Sequence, residues 1–130
     1  MFGGPEVEHI SATEAAELVS GPASPAGTGS GSSVVLVDVR EQWEWDAGHA
    51  PQAVHLPMTQ LEERHGELDL ESTLLIVCHS GQRSLSVTDA LARAGYNAIN
   101  VDGGMLAWHA AGGAVVAADA STDGSEEPRV

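Results

Sequence analysis

Three short apolar runs, each rich in branched side chains, recur along the chain with helix-forming segments between them. They are residues 34–39 (VVLVDV), 74–78 (LLIVC) and 98–101 (AINV). A continuous apolar run of this length, without polar alternation, fits a strand buried on both faces. Strands separated by helices imply a parallel sheet covered on both sides. The expected fold is therefore α/β: a three-layer domain with a central, mostly parallel sheet and helices on both faces. Shorter strands are expected at 7–10 and 53–56. Helices are expected at 12–19, 41–47, 58–65, 84–94 and 105–111. Ser11 and Glu14 have capping-box spacing at the start of the first helix. For the helix at 84–94, the face read as buried is Leu85, Thr88, Leu91 and Ala92, with Gly95 at its end.

The 130 residues suffice for one domain. It is expected over 7–118, after a short extension at 1–6. Residues 20–33 are Gly-, Ser- and Pro-rich and read as a flexible loop within the domain. The acidic, small-residue tail at 119–130 reads as disordered.

Nineteen acidic residues against five basic ones give a net charge of −14. That balance excludes nucleic acid as the main partner, because phosphate neutralisation needs clustered Lys and Arg. It argues equally against an anionic membrane surface. No basic-then-apolar leader and no membrane-length apolar run are present, so a soluble, cytoplasmic protein is expected. One cysteine, Cys78, allows neither an internal disulfide nor a Cys-rich zinc site. The six histidines lack metal-ligand spacing, and no cofactor or metal is expected.

Cys78 stands at the end of the run LLIVC, followed by His79-Ser80-Gly81-Gln82-Arg83-Ser84 and a helix. Open α/β sheets bind ligands beyond the carboxyl ends of their strands. A tight loop there can point successive backbone N–H groups at one spot, and the helix start adds its own amides and dipole. Gly81 permits the turn, and Arg83 places a positive charge at the rim. Such surroundings lower a thiol pKa from about 8.5 to about 3.5–7.5, leaving the nucleophilic thiolate. A lone cysteine after an apolar run is otherwise a small core residue, and on local grounds the two readings stand about even.

The loop C-H-S-G-Q-R-S resembles the active loop of the rhodanese (thiosulfate sulfurtransferase) family. Four other segments resemble that family in the same order: Asp38-Val39-Arg40-Glu41; Glu44-Trp45 with Gly48-His49-Ala50-Pro51-Gln52-Ala53; His55-Leu56-Pro57; and Gly103-Gly104 with Trp108. Ala50, Gln52 and Ala114 depart from the usual Ile, Gly and Pro. The resemblance implies a small α/β domain that moves a sulfane sulfur. Cys78 would attack the outer sulfur of thiosulfate, release sulfite and carry a persulfide. Cyanide, a small thiol or a protein thiol would then take the sulfur away. Related phosphatases and arsenate reductases hold five residues between Cys and Arg. The four here, between Cys78 and Arg83, favour sulfur over phosphorus.

Cys78 and Arg83 are thus the expected catalytic pair, with His79, Ser80, Gly81, Gln82 and Ser84 binding the donor through side chains and, more importantly, backbone amides. His79 either tunes the thiolate, contacts the acceptor or faces solvent. Asp38, Arg40, Glu44 and His49 are expected to support the site, with Arg40 paired to Glu44. At least one of Trp43 and Trp45 is expected to pack in the core. A chain at −14 repels a thiosulfate dianion. Weak thiosulfate use, rising with moderate salt, is therefore expected, and a persulfide donor fits the charge better.

Overall fold

The computed structural model describes residues 7–20 and 33–117. The expected extension at 1–6, almost all of the Gly/Ser loop at 20–33 and the tail at 119–130 lie outside the described residues. The elements run β1 (Glu8–Ile10), α1 (Ala12–Ser20), β2 (Val34–Asp38), α2 (Gln42–Ala47), β3 (Val54–His55), α3 (Leu61–Arg64), β4 (Thr73–Val77), α4 (Gln82–Arg93), β5 (Asn97–Val101) and α5 (Gly104–Ala110). Single 3₁₀ turns, Met58–Gln60 and His65–Glu67, flank α3, so the helix expected at 58–65 is a broken one.

The five strands form one sheet in the order β1-β5-β4-β2-β3, and every pairing is parallel. The apolar runs divide their side chains between the two faces with period two. Val37, Val39, Leu74, Ile76, Cys78 and Ala98 pack with Val87 and Leu91 of α4. Leu36, Leu75, Val77 and Val101 pack with Ala12 and Ala15 of α1 and Met105 and Trp108 of α5. Full burial of each Leu, Ile or Val side chain contributes about 1.5–3 kcal/mol, which is why these runs must lie inside.

The buried stripe of α4 is Ser84, Val87, Thr88 and Leu91, and Leu85 is 38% exposed. Thr88 and Leu91 of the expected face are buried, and Ser84 and Val87 complete the stripe in place of Leu85 and Ala92. At the start of α1 the Glu14 amide donates to the Ser11 hydroxyl at 3.0 Å, one half of the expected capping box.

The strand order positions the site. From β2 the chain leaves through α2 toward β3; from its neighbour β4 it leaves through α4 toward β5, in the opposite direction. The loops after β2 and β4 therefore diverge and open a crevice at the carboxyl ends of the two strands, where ligands bind in such sheets.

Candidate active site

β4 ends at Val77, one residue earlier than expected, and Cys78 opens the loop that follows. The residue is buried, at 1% exposure. Its Sγ accepts the Gly81 amide at 3.0 Å and the Ser84 amide at 3.3 Å. The loop can turn these amides inward because Gly81, the N-cap of α4, adopts φ 109°. A side chain there would be strained and would press on the Gly103 backbone at 3.2 Å.

The Ser84 hydroxyl lies 3.4 Å from Sγ and 3.2 Å from the Gly81 carbonyl oxygen. With Cys78 protonated, the thiol donates to Ser84 Oγ and the hydroxyl donates to the carbonyl. With Cys78 ionised, the same hydroxyl can turn and donate to sulfur. Burial opposes the thiolate. The Ser84 hydroxyl, then the Ser84, Gly81 and Arg83 amides, outweigh it and hold the Cys78 pKa below its ordinary value. Ser84 is thus fully buried against the sulfur. Its oxygen is engaged inside the loop, between Cys78 Sγ and the Gly81 carbonyl. His79, Ser80 and Gln82 are exposed, and the hydrogen bonds to Sγ come from Gly81 and Ser84.

Arg83 is not a free charge at the rim. Its two terminal nitrogens each donate to one carboxylate oxygen of Glu44, both at 2.7 Å. The pair joins α4 to α2 across the crevice. Arg83, through its hydrogen bond, holds the Glu44 pKa down at about 2, and Glu44 raises that of Arg83.

The expected Arg40–Glu44 pair does not form. Arg40 turns back on Asp38 instead, with Nε at 3.0 and 3.1 Å from the two carboxylate oxygens and Nη2 at 2.7 Å from one of them. Both side chains are nearly excluded from water, so each charge needs the other. Arg40 Nη2 also donates to the Gly48 carbonyl at 2.6 Å, tying the end of β2 to the segment after α2. His49 donates from Nδ1 to the Trp45 carbonyl at 2.8 Å, and His55 from Nε2 to the Arg40 carbonyl at 2.7 Å. The Trp45 ring stacks on both imidazoles, at centroid distances of 3.6 and 4.5 Å. Neither Trp43 nor Trp45 is buried: Trp43 is 73% exposed, and the fully buried tryptophan is Trp108.

Sequence reasoning assigned no role to Gly103 and Gly104 beyond the family resemblance. In the structure they start α5 directly against the loop. The Met105 amide donates to the Cys78 carbonyl at 2.7 Å, and the Leu106 amide to the His79 carbonyl at 3.1 Å. Gly104 has φ 58°, and a Cβ there would overlap the Cys78 carbonyl oxygen and the His79 backbone. The positive-φ glycine pair was visible as a motif, but its contact with a loop more than twenty residues earlier was not.

Among the described residues no three His, Cys, Asp or Glu side chains gather to hold a metal ion, and no helix is long and apolar enough to cross a membrane.

A buried cysteine ringed by amides, at the carboxyl edge of a parallel sheet, is an arrangement for holding a sulfur anion. The model of the rhodanese-like domain family matches residues 26–111, and the chain belongs to that family. Over 73 residues it is 42% identical to "Putative sulfurtransferase YtwF" of Bacillus subtilis (strain 168), covering 56% of this chain and 71% of that protein. Over 80 residues it is 38% identical to "Putative sulfur carrier protein YrkF" of the same organism, covering 61% of this chain but only 43% of that protein. Among solved structures it is similar to a rhodanese-related protein from Thermoplasma volcanium. The TM-score is 0.71 at 25% identity, with 84% of this chain and 97% of that one covered.

Proposed function

We propose that the protein is a sulfurtransferase that carries a sulfane sulfur on Cys78. The Cys78 thiolate attacks the outer sulfur of the donor. With thiosulfate, the new Cys–S–S⁻ bond forms as the donor S–S bond breaks, and its electron pair leaves with sulfite. Cyanide, a small thiol or a protein thiol then attacks the outer sulfur of the persulfide and regenerates the Cys78 thiolate. The cycle is ping-pong, with a covalent intermediate. The loop amides stabilise the negative persulfide as they stabilise the thiolate, without water having to reorganise. The reaction suits the cytoplasm, where thiols stay reduced.

One observation carries this reading: Cys78 Sγ sits within hydrogen-bond distance of both the Gly81 and Ser84 amides. A sulfur relay, in which Cys78 takes persulfide from a partner and turns over thiosulfate poorly, is the second reading. Likeness to a protein named as a sulfur carrier favours it, as does the neutralised Arg83.

Intact mass tests the proposal. Thiosulfate or a protein persulfide should add one sulfur atom, cyanide should remove it, and Cys78→Ser should gain none. A gain with the protein persulfide alone selects the relay. Sulfite release retained in Cys78→Ser would refute the nucleophile.

A further inference from the structure

We propose that Glu44 sets the charge class of the sulfur donor: by neutralising Arg83 it makes the site selective for organic persulfides over the thiosulfate dianion. The inference deepens the sulfur-transfer reading and rests on it.

The pair bridges the helices that follow the two central strands, with Glu44 on the helix after β2 and Arg83 on the helix after β4, and Arg83 feels the charge of Cys78. Both terminal nitrogens of Arg83 are engaged at 2.7 Å, and the Glu44 side chain is only 12% exposed. Glu44 cannot swing aside freely, because the same carboxylate accepts the Glu41 amide at 2.9 Å and caps α2. No other guanidinium is spare among the described residues: Arg40 is paired with Asp38, Arg64 with Glu67 and Arg93 with Asp89. The chain has no Lys. A dianion arriving at Cys78 therefore meets a neutralised Arg83 on a strongly acidic protein.

The pair still offers hydrogen bonds. A guanidinium carries five N–H donors and the pair uses two, so three remain beside the loop amides. Dipolar donors of this kind suit a neutral or singly charged ligand. An organic persulfide, R–S–SH, is such a ligand. The Cys78 thiolate attacks its outer sulfur, forming Cys–S–SH as the R–S bond to that sulfur breaks, and R–S⁻ leaves with the electron pair. Charge and protons balance with no further reactant. Glu44 is thus a positioning residue that acts through Arg83.

The test measures initial rates of sulfur loading on Cys78 by intact mass, with thiosulfate and with 2-hydroxyethyl persulfide as donors. Wild type should load faster from the persulfide. Glu44→Gln keeps a carbonyl oxygen for the Glu41 amide but removes the charge, and should shift the donor ratio about tenfold toward thiosulfate. Adding Arg83→Gln should abolish that shift, which a merely structural role for Glu44 would not predict. Glu44→Ala is a second neutral variant and must move the ratio in the same direction. A ratio unchanged within twofold, or a shift that survives in the double variant, overturns the assignment of Glu44. Loading of wild type from neither donor would instead bring down the sulfur-transfer reading, and this inference with it.

Discussion

The Met105 amide donates to the carbonyl oxygen of Cys78 at 2.7 Å, so the first turn of α5 fixes the backbone at the proposed sulfur carrier. The close approach is possible because Gly104 has no side chain and holds a positive φ. Gly104→Ala forces the two backbones apart. It is expected to cost about 1–3 kcal/mol in backbone strain alone, and to lower sulfur loading further by turning the loop amides away from Sγ. Urea unfolding and loading rates measured on the same sample check both effects. Wild-type loading in a destabilised Gly104→Ala would show that the α5 contact supports the fold but not the loop.

Ser84 carries a different expectation. Its hydroxyl is the largest favourable influence on the Cys78 thiolate, ahead of the amides. Hydrogen bonds to charged groups contribute about 1.5–3 kcal/mol. Ser84→Ala should therefore raise the Cys78 pKa and slow loading at neutral pH by roughly tenfold or more. The deficit should shrink as pH rises and thiolate is restored. A deficit that stays constant with pH would mean that Ser84 acts on loop structure instead.

The Glu44–Arg83 ion pair predicts a pH dependence of stability. Glu44 has a pKa of about 2 in the folded protein against an ordinary 4.5. The unfolded chain thus takes up the proton first as pH falls. The stabilisation is complete above about pH 4.5 and is lost as pH drops toward 2. The stability difference between wild type and Glu44→Gln should be flat from pH 7 to 5 and then narrow. Denaturant unfolding across that range measures it, and a difference that stays level to pH 2.5 would contradict the depressed pKa.

Net charge makes a separate prediction about rate. At −14 the protein repels a dianion from a distance, and salt screens that repulsion over about 10 Å at 0.1 M. Loading from thiosulfate should rise between low and moderate ionic strength. A steep fall instead would mean that an attractive field guides the donor in.

Much of this was legible in the sequence, because burial on both faces of a sheet leaves a continuous apolar run that needs no partner to be recognised. Residues 34–39, 74–78 and 98–101 gave the strands on that ground, and the Cys78-to-Ser84 spacing gave the loop. What escaped was pairing at a distance. Arg40 and Glu44 stand four apart and look like a helical pair. But Arg40 precedes α2 and folds back on Asp38, while Glu44 reaches Arg83 thirty-nine residues away. The phase of α4 was misread for a related reason. Ser84 faces Cys78 with its hydroxyl 3.4 Å from the sulfur, a contact that a hydrophobic count does not register, and Leu85 turns outward.

The hydrogen-bond donors around Cys78 shift its thiol toward the thiolate. The chain has a single cysteine, so the rate of alkylation by iodoacetamide as a function of pH reports that residue alone. The structure predicts a midpoint below the ordinary thiol value, moving upward in Ser84→Ala. A wild-type midpoint at or above that value would mean that burial prevails over the amides, and Cys78 would then be a core residue rather than a carrier of sulfur.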